Sequence, residues 1–113
     1  MQINVRTVDQ ITVVDLEGEI DANTAAVAQE TILPLAGSGG KLLLEMTRVT
    51  YMSSAGLRLL LSTYRRISGT GGHVVLVGLS DELRETMSMT GFLDFFATQH
   101  TIEDALAALA PGV

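Results

Sequence analysis

Cysteine is missing from the 113-residue chain, and with it go disulfides, thiol catalysis and thiolate metal sites. Basic residues are scarce: seven Lys and Arg stand against thirteen Asp and Glu, a formal net charge of −6. Nucleic-acid binding needs clustered positive charge, so that partner class is not expected. No apolar run approaches the ~18 residues of a membrane span, and the opening MQINVRTVDQ lacks the basic-then-apolar pattern of a secretory signal. His73 and His100 are far apart with no carboxylate at ligand spacing beside them, so neither a metal nor any other cofactor is expected. Internal repeats and low-complexity segments are lacking as well. What remains, with 47% hydrophobic and 18% charged residues, is the composition of one globular domain over residues 1–113, expected in the cytoplasm.

Local patterns give the elements. Gln2 to Thr7 alternates, with Ile3 and Val5 on one side and Gln2, Asn4 and Arg6 on the other, as a half-buried strand does. Asp9-Gln10 turns the chain into a second strand, Ile11 to Leu16, ended by Glu17-Gly18-Glu19. Asp21, Asn23 and Thr24 offer helix starts for the alanine-rich run Ala22 to Leu33, which Pro34 should kink or finish. After the loop Gly37-Ser38-Gly39-Gly40, the run Leu42-Leu43-Leu44 reads as a buried strand. Leu57, Leu60, Leu61, Tyr64 and Ile67 then share one helical face, and Gly69-Thr70-Gly71-Gly72 stops that helix. His73 to Val77 is a valine-rich strand, and Ser80 caps a helix that runs to about Met89, where Gly91 closes it. Phe92 to Ala97 reads as a short last strand, Thr101 to Asp104 opens a final helix through Leu109, and Pro111-Gly112 ends the fold. This order predicts an α/β domain: a mostly parallel sheet of four to five strands, one antiparallel edge strand and about four helices. The segments Gly18 to Asn23 and Val49 to Ser54 should then be neighbours at the carboxyl ends of their strands, where such sheets carry their sites.

One stretch invites chemistry. Tyr51-Met52-Ser53-Ser54-Ala55-Gly56 lies where a helix must begin, and only a methyl and a hydrogen follow the two serines, so a hydroxyl there is poorly shielded. Either serine also suits the N-cap, with its oxygen accepting from an amide two or three residues on. Asp21 is by itself a helix cap. Leu59, Ser62 and Arg66 fall opposite the apolar face, which leaves Leu59 exposed and puts it with Arg58 in an interface beside Ser54. A serine nucleophile is disfavoured, because Gly-x-Ser-x-Gly is lacking and neither histidine has an evident place near Ser54. The Gly69–Gly72 run follows a helix and precedes a strand, the reverse of a phosphate-binding P-loop, and it lacks the lysine.

GEIDANTA (Gly18 to Ala25), LLLEMTRVTYMSSAGLRLLL (Leu42 to Leu61) and ISGTGGHVVLVGL (Ile67 to Leu79) together resemble the STAS domain, and more narrowly its stand-alone anti-sigma factor antagonists. The resemblance covers nearly the whole chain, and Ser-Ser-Ala-Gly-Leu after a Tyr-Met pair is its most specific part. It implies a regulator that is a substrate and ligand rather than an enzyme. Its partner would be an anti-sigma factor that is also a serine kinase with a histidine-kinase-like ATP fold. Phosphorylation of one serine would release that partner, and a metal-dependent serine phosphatase would reset the switch. The family's Asp-Ser-Ser/Thr-Gly falls on Ser53, Ser54, Ala55 and Gly56, so Ser54 takes the phosphoacceptor place, with Ser53 as second choice. Ser53 stands where the family usually has Asp, and Asp21 matches its acidic residue in the neighbouring loop. The implied partner surface comprises Asp21, Asn23, Ser53, Ser54, Arg58 and Leu59. The rival is a STAS module that binds without being phosphorylated, as a scaffold or a nucleotide-responsive adaptor.

Overall fold

In the computed structural model, which describes residues 1–37 and 39–109, the alternating N-terminal segment and the apolar run after it form an antiparallel hairpin of β1 (Gln2–Val8) and β2 (Ile11–Ile20). Both turn residues have positive φ, 50° at Asp9 and 68° at Gln10. That backbone matches the right-handed twist of the strands it joins. The chain then alternates through α1 (Ala22–Ala36), β3 (Lys41–Met52), α2 (Ser54–Gly69), β4 (His73–Val77), α3 (Asp81–Met89), β5 (Ala97–Gln99) and α4 (Ile102–Leu109). The sheet has five strands in the order β1-β2-β3-β4-β5, and every pairing after the hairpin is parallel.

Topology decides which face each helix covers. From β2 to β5 the strands advance in one direction, and right-handed crossovers in one direction keep their helices on one face. Accordingly Ala28, Ile32, Leu60, Ile67, Leu83 and Met87 from α1, α2 and α3 pack with Val14, Leu16, Leu42, Leu44 and Leu76. Among the described residues only α4 covers the other face, where Ala105 and Leu109 meet Val13, Leu43, Val75 and Val77. The unbroken Leu42-Leu43-Leu44 run follows, because β3 is buried on both sides.

Four boundaries differ from the sequence reading. β2 does not end at Glu17-Gly18-Glu19 but runs on to Ile20, and β3 runs on to Met52. Their register shifts between Asp15 and Glu17 and again between Gly18 and Glu19, where β3 takes an extra residue each time. Bulges of this kind break the two-residue alternation that marks a strand. Pro34 lies inside α1, which continues to Ala36; so near the end, its missing N–H removes a single bond. The strand expected over Phe92 to Ala97 begins only at Ala97. Gly91, at φ 78°, halts α3, and Phe92–Phe95 form a 3₁₀ turn before the three-residue β5. The turn sets Phe95 and Phe96 against Tyr64 at ring-centroid distances of 5.5 and 5.6 Å, so these aromatics serve the packing of α2. The expected end of the fold at Pro111-Gly112 and the loop residue Ser38 lie outside the described residues.

Candidate functional site

Two helices start side by side at the carboxyl end of the sheet. Ile20 of β2 is the register partner of Met52 of β3. The next residue on each strand is an N-cap, Asp21 for α1 and Ser53 for α2. The Ser53 amide donates to the Ile20 carbonyl at 2.8 Å, which carries the ladder one residue past the strand and ties the two helix starts together. The segments expected to be neighbours are so, as paired strand ends more than as loops. Gly56 allows the close fit: a Cβ there would fall 2.3 Å from Met52 Cγ and 2.9 Å from Ile20 Cγ2.

The two caps are finished differently. Asp21 closes a reciprocal box: its Oδ1 accepts from the amides of Asn23 at 2.9 Å and Thr24 at 3.0 Å, and its own amide donates to Thr24 Oγ1 at 2.8 Å. The Thr24 amide, with the Thr24 hydroxyl and the Asn23 amide, holds the Asp21 carboxyl below its ordinary range, so it is an anion at neutral pH. Ser53 has the extended backbone of a cap, yet its hydroxyl makes no cap bond. Its Oγ is buried with no hydrogen-bond partner among the described residues, an arrangement that costs about 1–3 kcal/mol. Ser54, the first residue of α2, is exposed.

Around Ser54 the surface is assembled from helical neighbours. Arg58 is one turn further along α2, exposed, and in no ion pair among the described residues. On α1 the exposed Asn23 shares a face with Val27, which is 58% accessible. Tyr51, the residue before Met52 and level with Glu19, is 52% accessible. Val27 was not singled out in the sequence; an apolar side chain four residues after Asn23 was the available signal.

Leu59 is a correction. It is 3% accessible and belongs to the main core. The buried face of α2 is Gly56, Leu59, Leu60, Thr63 and Ile67, and it is centred on positions that a count of large apolar residues overlooks. Gly56 is buried by close approach, and Thr63 is buried because its hydroxyl donates to the Leu59 carbonyl at 2.8 Å. Leu57, Leu61 and Tyr64 are displaced to the flanks, half-buried. The interface reading of Leu59 therefore falls.

Neither histidine reaches Ser54. His73 pairs with Lys41 at the opposite end of β3, eleven residues from Met52, or over ~30 Å of strand. His100 follows Gln99, which is level with Val77 and through it with Glu45, about 20 Å short of Met52. Among the described residues no three acidic or histidine side chains are grouped to hold a metal ion, and no helix is long and apolar enough to cross a membrane. A groove of about 780 Å³ on the α4 face is lined by Arg6, Asp15, Glu17, Glu45 and Arg48, among others, and by none of the residues around Ser54. Its Arg6–Asp15 ion pair, at 2.9 Å, accounts for its main polar contacts.

A family model described as STAS domain matches residues 2–105. The anti-sigma-B factor antagonist of Bacillus subtilis is 36% identical over 81 residues, spanning 72% of this chain and 74% of that protein. Among solved structures, an anti-sigma factor antagonist from Mycobacterium paratuberculosis has a TM-score of 0.79 at 30% identity, covering 96% of this chain and 92% of the other. The Bacillus anti-sigma factor antagonist SpoIIAA gives TM-scores of 0.76 unphosphorylated, at 18% identity, and 0.71 phosphorylated, at 19%. Those alignments cover 99% and 96% of this chain and all of SpoIIAA, and the likeness is one of fold.

Proposed function

Given that the chain belongs to the STAS domain family, we propose that it is a protein-binding switch controlled by phosphorylation of Ser54. Unmodified, it binds an anti-sigma factor that is also a serine kinase of histidine-kinase-like ATP fold, and so frees that factor's target. The Ser54 hydroxyl oxygen attacks the γ-phosphorus of ATP held by the kinase. The bond to the bridging oxygen breaks, ADP leaves, and the hydroxyl proton passes to a base of the kinase. The phosphorylated chain lets go, and a metal-dependent serine phosphatase hydrolyses the ester to restore it. The chain itself performs no catalysis, and residues 1–113 act as one domain in the cytoplasm, where ATP is available.

The observation that carries this reading is the position of Ser54: exposed, first in α2, with the cap position taken by Ser53. The names of the relatives support the class of partner, and the existence of a phosphorylated form of SpoIIAA supports the modification. Phosphate adds about −1.5 to −2 charge and three acceptor oxygens. A helix N-terminus stabilises such an anion by roughly 0.3–1 kcal/mol, so the fold tolerates it. The switch then acts at the partner surface formed by Asp21, Asn23, Ser53, Ser54 and Arg58. The ionised Asp21 beside a dianion repels an acidic or apolar partner surface, and each 1.4 kcal/mol of repulsion weakens binding tenfold.

The test uses the serine kinase encoded nearest to this chain. Incubation with that kinase and ATP adds one phosphate by intact mass, and Ser54→Ala prevents it. Ser54→Glu weakens kinase binding by about a hundredfold or more, equivalent to some 2.8 kcal/mol. Undiminished binding by the phosphorylated chain and by Ser54→Glu refutes the switch. It then favours a module that binds without being modified.

A further inference from the structure

We propose that the Ser53 hydroxyl is a ligand for the phosphate on Ser54, closing an anion seat with the open amides of the first turn of α2. The inference rests on the reading of Ser54 as phosphoacceptor and goes beyond it by assigning Ser53 a role in the modified state. Three observations carry it. The Ser53 Oγ is buried and has no hydrogen-bond partner among the described residues. The residue is nevertheless in the cap position, where a serine oxygen can accept from the second or third amide of the helix. Ser80, with the same extended backbone at the start of α3, does this, accepting from the Leu83 amide at 3.2 Å. Ser53 therefore fails to cap for a local reason and not for want of chemistry.

The amides next to it are unused as well. The Ser53 carbonyl takes up the Leu57 amide at 3.1 Å, but no cap bond reaches the amides of Ser54, Ala55 or Gly56 among the described residues. Leftover donors and a leftover hydroxyl at one helix start call for an acceptor. Asp21 already turns its Oδ1 to the Asn23 and Thr24 amides of its own helix. A phosphate on the adjacent residue brings three acceptor oxygens to the spot. One rotation about χ1 turns the Ser53 hydroxyl from the interior toward it, and the O–H then donates to a phosphate oxygen. A hydroxyl suits this role where a carboxylate at the same place would repel the dianion. Ser53 is thus a positioning residue for the phosphate and, in the unmodified chain, a polar group held in reserve.

The experiment installs phosphoserine at position 54 of the full chain during translation, so that no kinase is needed. The phosphate is titrated by ³¹P NMR in the Ser53, Ser53→Ala, Ser53→Gly and Ser53→Thr chains. With the seat present, loss of the hydroxyl in either Ser53→Ala or Ser53→Gly raises the titration midpoint by about half a pH unit or more, and Ser53→Thr restores it. Phosphorylation also raises the melting temperature of the Ser53 chain, and by less in Ser53→Ala, where only the helix amides remain. The unphosphorylated Ser53→Ala chain melts no lower than its parent, the opposite of what removal of a working cap produces. Equal midpoints and equal melting shifts with and without the hydroxyl overturn the seat, whatever the partner does. Unequal midpoints with unaltered partner binding uphold the seat and refute the switch, so the two readings fail separately.

Discussion

Gly56→Ala tests whether the close approach of α2 to the strand ends positions the Ser54 region. A helix interior ordinarily favours alanine over glycine by about 1 kcal/mol. Here the added methyl lies 2.3 Å from Met52 Cγ and 2.9 Å from Ile20 Cγ2, with Met52 Sδ at 3.2 Å. Cγ is near the root of the methionine, and Ile20 is fully buried and β-branched, so neither gives way freely. Overpacking of this kind costs roughly 1–3 kcal/mol, and the helix gain offsets part of it. The net loss is up to about 2 kcal/mol, or near 4 °C in melting temperature for each kcal/mol in a domain of this size. Gly69→Ala in the same helix is the control: a Cβ there meets nothing within 4 Å, and its expected effect is a gain of about 0.4–1 kcal/mol. Thermal and urea denaturation of both variants decide the matter. A Gly56→Ala chain at least as stable as its parent refutes the packing argument, and with it the claim that this contact fixes the start of α2.

Leu59→Ala loses about 2–5 kcal/mol in urea denaturation, as a core leucine does, while Arg58→Ala stays within about 0.5 kcal/mol; similar small effects for both would return Leu59 to the surface. Gln10→Gly relieves a left-handed backbone at φ 68° and gives the Asp-Gly pair this hairpin turn prefers. A net gain of roughly 0.5–1 kcal/mol is expected after the greater unfolded-state freedom of glycine is allowed for, and a lower melting temperature would contradict it. Asp15 is held below its ordinary range, chiefly by the hydrogen bond from Arg6. A carboxyl with a lowered folded pKa contributes stability above its unfolded pKa, near 3.9, and loses it as pH falls through the folded one. Asp15→Asn should therefore flatten the acid limb of the stability profile below about pH 4. Because the pair is more than a third open to solvent on the arginine side, the contribution at neutral pH is about 0.2–1 kcal/mol. An acid limb as steep in Asp15→Asn as in the parent would rule the pair out.

Much of the fold was legible because the chain alternates between short apolar runs and helical patterns with ordinary starts and stops. Asp21, Ser80 and Thr101 behave as their residue types suggest. The failures have separate physical causes. The far half of β3 buries Met46, Val49 and Met52 at three-residue steps, because β3 is bulged twice against β2, and a period-of-two reading stops before them. Phe92 to Phe96 has strand-like composition, yet the glycine before it and the pull of Tyr64 favour a tight turn. On α2, clustered leucines hid a face defined by a glycine and a threonine. The place of Ser54 followed from its neighbours in sequence; the idle hydroxyl of Ser53 did not, since no pattern distinguishes a cap that bonds from one that does not.

The unequal lengths of the two central strands have an evolutionary corollary. Twelve residues of β3 are spent against ten of β2 to bring their ends level. Those two surplus residues act as a shim, because which way residue 54 points depends on whether the count behind it is odd or even. Losing one of them would swing the serine away from its present outlook, whereas losing both together would preserve it. Drift in this segment should therefore proceed by paired changes in length, and a lone deletion there should turn residue 54 elsewhere in a chain that still folds.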